Sequence, residues 1–185
     1  MRIVHKWHKS SDRDLKQIAE SLAYNIWKIS LTSVRGLQDE KFHFTSKAQG
    51  LAVTTEMLIF MLQATDRLIY EAMEPEDRAQ FVGAMAYRFL DIVLDNYDDL
   101  GEEGPDRTDL VGLINERSND YAAFSFEDGE PSYHFLRYFG ERVGAIMGDD
   151  QDNRWASDQM MEIEGPDAID KLKRSIGGIV GIDLD

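Results

Sequence analysis

Two long apolar-patterned runs, about residues 47–73 and 75–100, meet at Glu74-Pro75-Glu76-Asp77 and leave this chain few ways to fold. Both repeat apolar residues at helical spacing, which predicts an antiparallel helical hairpin. The first run opens at Ser46 with Gln49 three residues on, the S-x-x-Q pattern of a capped helix start. At about 100° per residue, Leu51, Leu58, Leu62 and Ile69 fall on one line, flanked by Met61, Leu68 and Ala72. Gln49, Glu56, Gln63 and Arg67 fall opposite, in a polar strip so narrow that neighbours must cover most of this helix. The second run begins with Pro75 at the first helical position and acids behind it. That order suits the free N–H groups and positive dipole end of a helix. Phe81, Val82, Met85, Phe89, Ile92 and Val93 form its main face, and Gly101 is the expected stop. The strongly polar stripe left on it is Arg88, Asp91 and Asp95.

Further helical segments are expected at about 12–34, 107–124, 132–147, 153–163 and from Pro166 to about 176. They are punctuated by Gly36, by Gly101-Glu102-Glu103-Gly104-Pro105, by Glu127–Pro131 and by Gly165-Pro166-Asp167. Strand alternation competes only at 122–126. The fold class is therefore all-α: a single-domain bundle of six to seven helices around a central hairpin at about 47–100. A length of 185 residues fits one domain, and 43% hydrophobic residues can fill its core. Residues 1–10 read as a basic arm, and Gly177, Gly178 and Gly181 predict a loose C-terminus over 177–185.

Charge narrows the partners. The net charge is −15. Residues 1–47 carry nine Lys/Arg against five Asp/Glu, or +4, and the remainder carries 11 against 30, or −19. An acidic body repels phosphate backbones, so nucleic acid is not an expected partner, while a basic protein, or a second copy of the chain, is. No apolar run is long enough to cross a membrane, and the basic first residues lack the apolar stretch of a secretory leader. With no Cys there are no disulfides and no thiolate chemistry. A cytoplasmic location is the expectation.

Two constellations could carry chemistry. Asp91 and Asp95 share a helix face, and hairpin geometry puts Glu56 level with Asp95. Carboxylates projecting from facing helices are how bundle metal sites are built. A Glu56/Asp91/Asp95 cluster would suit Mg²⁺ or Mn²⁺, with Arg88 steadying an anion, as in a metal-dependent hydrolase. The competing reading is a solvated stripe with an Arg88–Asp91 ion pair. The sequence itself requires no cofactor. The second constellation is aromatic: residues 121–139 hold seven of the chain's 19 aromatics. Tyr121, Tyr133, His134, Arg137 and Tyr138 could wall a pocket for a small ligand or face a partner, and the same density fits a wedge of core between two helices. A three-histidine site from His8, His43 and His134 is a weaker option.

Glu71-x-x-Glu74 with Asp95-x-x-Asp98 resembles the E-x-x-E…E-x-x-D arrangement of all-α nucleoside triphosphate pyrophosphohydrolases, with one Asp in place of Glu. The pairs would stand ~20–25 Å apart along the hairpin, so they cannot share a metal. The expected function is thus a non-catalytic interaction or regulatory module. The hydrolase and the small-ligand binder are the alternatives.

Overall fold

A computed structural model of the protein describes residues 14–148, 150 and 152–184. The basic arm at 1–10, with His5 and His8, lies outside the described residues. Five long helices lead: α1 (Leu15–Asp39), α2 (Lys47–Leu68), α3 (Pro75–Leu100), α4 (Arg107–Tyr121) and α5 (Tyr133–Met147). A short α6 (Ala156–Gln159) runs through a π-helical turn (Met160–Glu164) into α7 (Gly165–Ser175), and a second π turn (Ile176–Val180) ends the helical chain. The protein is an all-α bundle. The strand-like stretch shrinks to a two-residue ladder, Phe126–Glu127 against Glu130–Pro131. Asp128 and Gly129 turn it, both at positive φ, as the tight turn of a hairpin requires.

Local capping chemistry sets most of the boundaries. Ser46 Oγ accepts from Gln49 N–H at 3.0 Å, and Gln49 Oε1 accepts from Thr45 N–H at 2.7 Å, so the expected box closes one residue further back than usual. Pro75 opens α3 and Gly101, in the left-handed region, closes it. Asp106 and Asp109 cap α4 reciprocally. Ser132 caps α5, which stops at Gly148.

Three boundaries differ from expectation for tertiary reasons. The apolar run that starts α2 continues to Met73, yet the helix ends at Leu68; Ile69, Ala72 and Met73 stay buried while the chain turns. Gly36 does not stop α1, which runs one turn past it and buries Leu37. A Cβ at Gly36 would lie 2.9 Å from Glu164 Oε1, so the glycine makes room for that carboxyl instead. Gly165-Pro166 does not break the last helix either. The π turn before it hands over to Pro166 in the first turn of α7, where its missing N–H is least needed. Where a loose C-terminus is expected, Val180 and Ile182 are buried.

The hairpin is the centre of the bundle. α1 lies along both α2 and α3, and α5 crosses α2 on the other side, backed by α6 and α7. α1 and α3 run in the same direction: Lys16 and Glu20 sit beside Gly83 to Asp91, and Trp27 to Gln38 sit beside Asn96 and Leu100. Both of their C-termini therefore emerge at one end of the molecule, where the α3–α4 loop also lies.

The half-buried Glu164 carries a pH signature. Burial raises its carboxyl above the ordinary range, against the pull of Gln159 and Lys171. The folded state therefore favours the protonated form. Its stabilising contribution is fully present below the unfolded pKa and is lost as pH rises through the folded one. Glu164→Gln should raise Tm at pH 7, and the gain should vanish near pH 4, below the unfolded pKa. An equal gain at both pH values in calorimetry would contradict this origin.

Candidate functional site

The polar strip of α2 faces other helices, with Glu56 buried and Gln49, Gln63 and Arg67 half-buried. Gln49 donates to Ile146 O at 2.8 Å, Gln63 donates to Ser118 Oγ at 2.7 Å, and Arg67 donates to Tyr121 O at 3.4 Å. Glu56, expected to be a metal ligand level with Asp95, is 4% exposed and faces α4. There the Arg117 guanidinium holds its carboxylate in a fork, Nε at 3.1 and 3.2 Å and Nη2 at 3.0 Å. The remaining Nη1 donates to Glu116 at 2.6 Å. Burial opposes the charged guanidinium, but the hydrogen bonds and charge of Glu56 outweigh it, so Arg117 holds its proton more firmly than an exposed arginine.

Two of the expected ligand-binding residues close over this pair. The buried Tyr121 phenol lies within the fields of Glu56, Tyr138, Arg117 and Arg142, and its hydroxyl has no hydrogen-bond partner. Burial pushes its pKa well above the usual value. Tyr138 donates a short hydrogen bond to Asp120, and burial with that bond pushes its hydroxyl to about 12. Arg142 stacks over the Tyr138 ring at 5.2 Å. The structure thus merges part of each expected constellation into one buried cluster on α2, α4 and α5.

The Glu56 carboxylate is held by the Arg117 fork, and burial raises the pKa of both phenols above its usual value. The aromatic residues around this cluster fill space. Phe60 stacks on Phe139 with centroids 4.1 Å apart, and Tyr121 tilts against Phe135 at 4.5 Å. Tyr133, His134 and Arg137 stay outside on the exposed face of α5. Arg137 pairs with Glu141 at 2.7 Å, and His134 lies over Phe124. The five residues do not surround one cavity: Tyr121 is core and Tyr133 is surface.

The carboxylate stripe of α3 is dispersed as well. Asp91 pairs with Arg107 of α4, not with Arg88, and Asp95 is exposed. Glu56 cannot join them because it is committed to Arg117. Among the described residues, no group of three His, Asp or Glu is gathered closely enough to hold a metal ion. Arg88 and Asp91 instead line a groove of about 520 Å³ between α1 and α3, with Lys16, Glu20 and Tyr87. His43 is held by its backbone, which both donates to and accepts from the buried Asn153 at 2.9 Å, and His134 is exposed on α5.

The acidic end shares only Asp95 with the two expected constellations. Residues 95–109 carry seven acids (Asp95, Asp98, Asp99, Glu102, Glu103, Asp106, Asp109) and one base, Arg107, for a net −6. All seven are exposed. Asp98 and Asp99 occupy the last turn of α3, Asp39 ends α1, and neither last turn contains a base. The loop between α3 and α4 is fastened from below. Gly104 lies on the Tyr97 ring, where a Cβ would come within 2.5 Å of it. These seven acids are close in sequence; the parallel run of α1 and α3 brings Asp39 and Glu40 at the end of α1 to the same end of the bundle.

No protein-family model, no curated protein and no solved structure matches the chain. Among the described residues, no helix is long and apolar enough to cross a membrane.

Proposed function

We propose that the protein is a non-catalytic interaction module that presents the acidic end of its bundle to a basic partner. One observation carries this reading: acids sit in the last turn of α3 and at the end of α1, where the helix dipole is already negative. Each such placement costs about 0.3–1 kcal/mol, and the same acids would be favourable at helix N-termini. A surface needing only solubility has no reason to collect them there. A cationic partner relieves both the dipole and the mutual repulsion, so binding recovers what folding gives up. The Glu56–Arg117 cluster then holds the platform together.

The test is charge reversal. Asp98→Lys/Asp99→Lys should leave Tm unchanged or higher. Full-length wild type on a resin should retain a basic protein that elutes with rising salt, and the variant should not. A salt-sensitive partner held equally by both forms, or a variant that is destabilised, would end this assignment.

A further inference from the structure

At the acidic end, α1, α2 and α3 leave a groove of about 620 Å³. Its walls are mainly apolar: Trp27 and Leu31 of α1, Phe44 from the α1–α2 loop, and Leu100 of α3, with Gly50 and Asn96 between them. These four large side chains are only half-buried, at the edge of the core. Lys47 is the base among the lining residues. From Trp27 to Gln38 the α1 wall is roughly 16 Å long, which matches about three turns of a helix. Phe44 is held in place from behind: the buried Asn153 grips the neighbouring His43 backbone in both directions and also donates to Met147 O at 2.9 Å.

The rim determines what fits. On α3, Asp99 adjoins Leu100 in sequence, and Asp98, Glu102 and Glu103 lie at or just past the helix end; Asp39 and Glu40 end α1 on the other wall, followed by the exposed Lys41. An apolar floor beside a negative rim complements a segment with one apolar face and one basic face. An acidic or uniformly polar segment would match one half and be repelled or left unsatisfied by the other. Resting on the function proposed above, we propose that this groove receives a basic amphipathic helical segment of a partner protein, its apolar face between Trp27 and Leu100 and its Lys or Arg residues towards Asp99 and the acidic C-terminal end of α3.

The probe is a synthetic amphipathic helix of Leu and Lys, roughly three to four turns long, titrated into the full-length protein. Its control is a scrambled peptide of the same composition without an apolar face. The amphipathic peptide should bind at least about tenfold tighter than the scramble, and Leu31→Glu and Asp98→Lys/Asp99→Lys should each weaken it by a similar factor while circular dichroism stays unchanged. Equal binding of the two peptides overturns the proposal, as does indifference to Leu31→Glu. A natural partner lost on charge reversal but kept by Leu31→Glu would reject the groove and leave the acidic-end reading standing; one lost in neither variant would reject both. Carbodiimide cross-links from Lys6 or Lys9 to Asp98 or Glu102, within one chain or between two, would make the chain's own basic arm the occupant and overturn an external one.

Discussion

Arg117→Ala should cost about 3–5 kcal/mol of folding stability, because it leaves the Glu56 carboxylate buried without its counter-charge. Glu56 is 4% exposed and Arg117 9%, so water cannot take the place of the lost partner. Arg117 supplies three of the hydrogen bonds that satisfy Glu56, and all of them come from one planar fork. Arg117→Lys should recover little, since an ammonium cannot make the bidentate contact. Against a total of about 5–15 kcal/mol for an ordinary domain, the single change removes a large share. Urea unfolding of the three forms measures it, and a loss under about 1 kcal/mol would mean that the pair is better hydrated than the structure shows.

The more informative variant is the double one. Glu56→Leu/Arg117→Met should approach wild-type stability, since buried ion pairs replaced by apolar residues of similar volume are often neutral or stabilising. That outcome would make the pair a device for register, fixing how α4 docks on α2. The rest of the strip has the same character: Gln49 reaches the Ile146 and Met147 carbonyls of α5, and Gln63 and Arg67 reach Ser118 and Tyr121 of α4. If the double variant also keeps its partner at the acidic end, the cluster serves the scaffold and the binding surface is separate from it.

This strip marks where the sequence stops being readable. Its four members lie in phase on α2, so their shared face was plain from periodicity, but nothing within α2 says whether that face meets water or another helix. The answer was in α4, where Arg117 falls in phase with Leu110, Ile114 and Tyr121: a charge on an inward face signals a buried counter-charge. Helix ends were legible wherever the signal was local, as at Ser46, Pro75, Ser132 and Gly148. Gly36 and Gly165 misled because each is a glycine for tertiary reasons, one beside the Glu164 carboxyl and one against Met160 O and Leu136. Within the candidate site, Glu56, Tyr121 and Tyr138 were found but assigned to different constellations. The groove and its acidic rim depend on α1 and α3 lying parallel, and no single segment encodes that.

Phe60→Ala should be the second large effect, about 3–5 kcal/mol, or roughly 6–20 °C in Tm. Phe60 is fully buried on α2 and meets Phe139 at 4.1 Å, Phe135 at 5.6 Å and Tyr121 at 6.5 Å, so one ring joins three helices. The void cannot close easily. α5 is already pressed against its other neighbour, since a Cβ at Gly140 would stand 2.5 Å from the Ser157 carbonyl oxygen. α5 thus has little freedom to re-seat towards α2 without opening that contact. The cost should therefore fall in the upper half of the range, and Phe60→Leu should lose much less. An uncollapsed apolar cavity also stays dry and accepts small apolar guests. Benzene or indole should then raise the Tm of Phe60→Ala and leave wild type unmoved. That pair of results would establish that the aromatic wedge is filled core in the native protein, with ligand space appearing only when a ring is removed. A wild-type shift with the same guests would return the aromatic residues of α4 and α5 to consideration as a natural binding pocket.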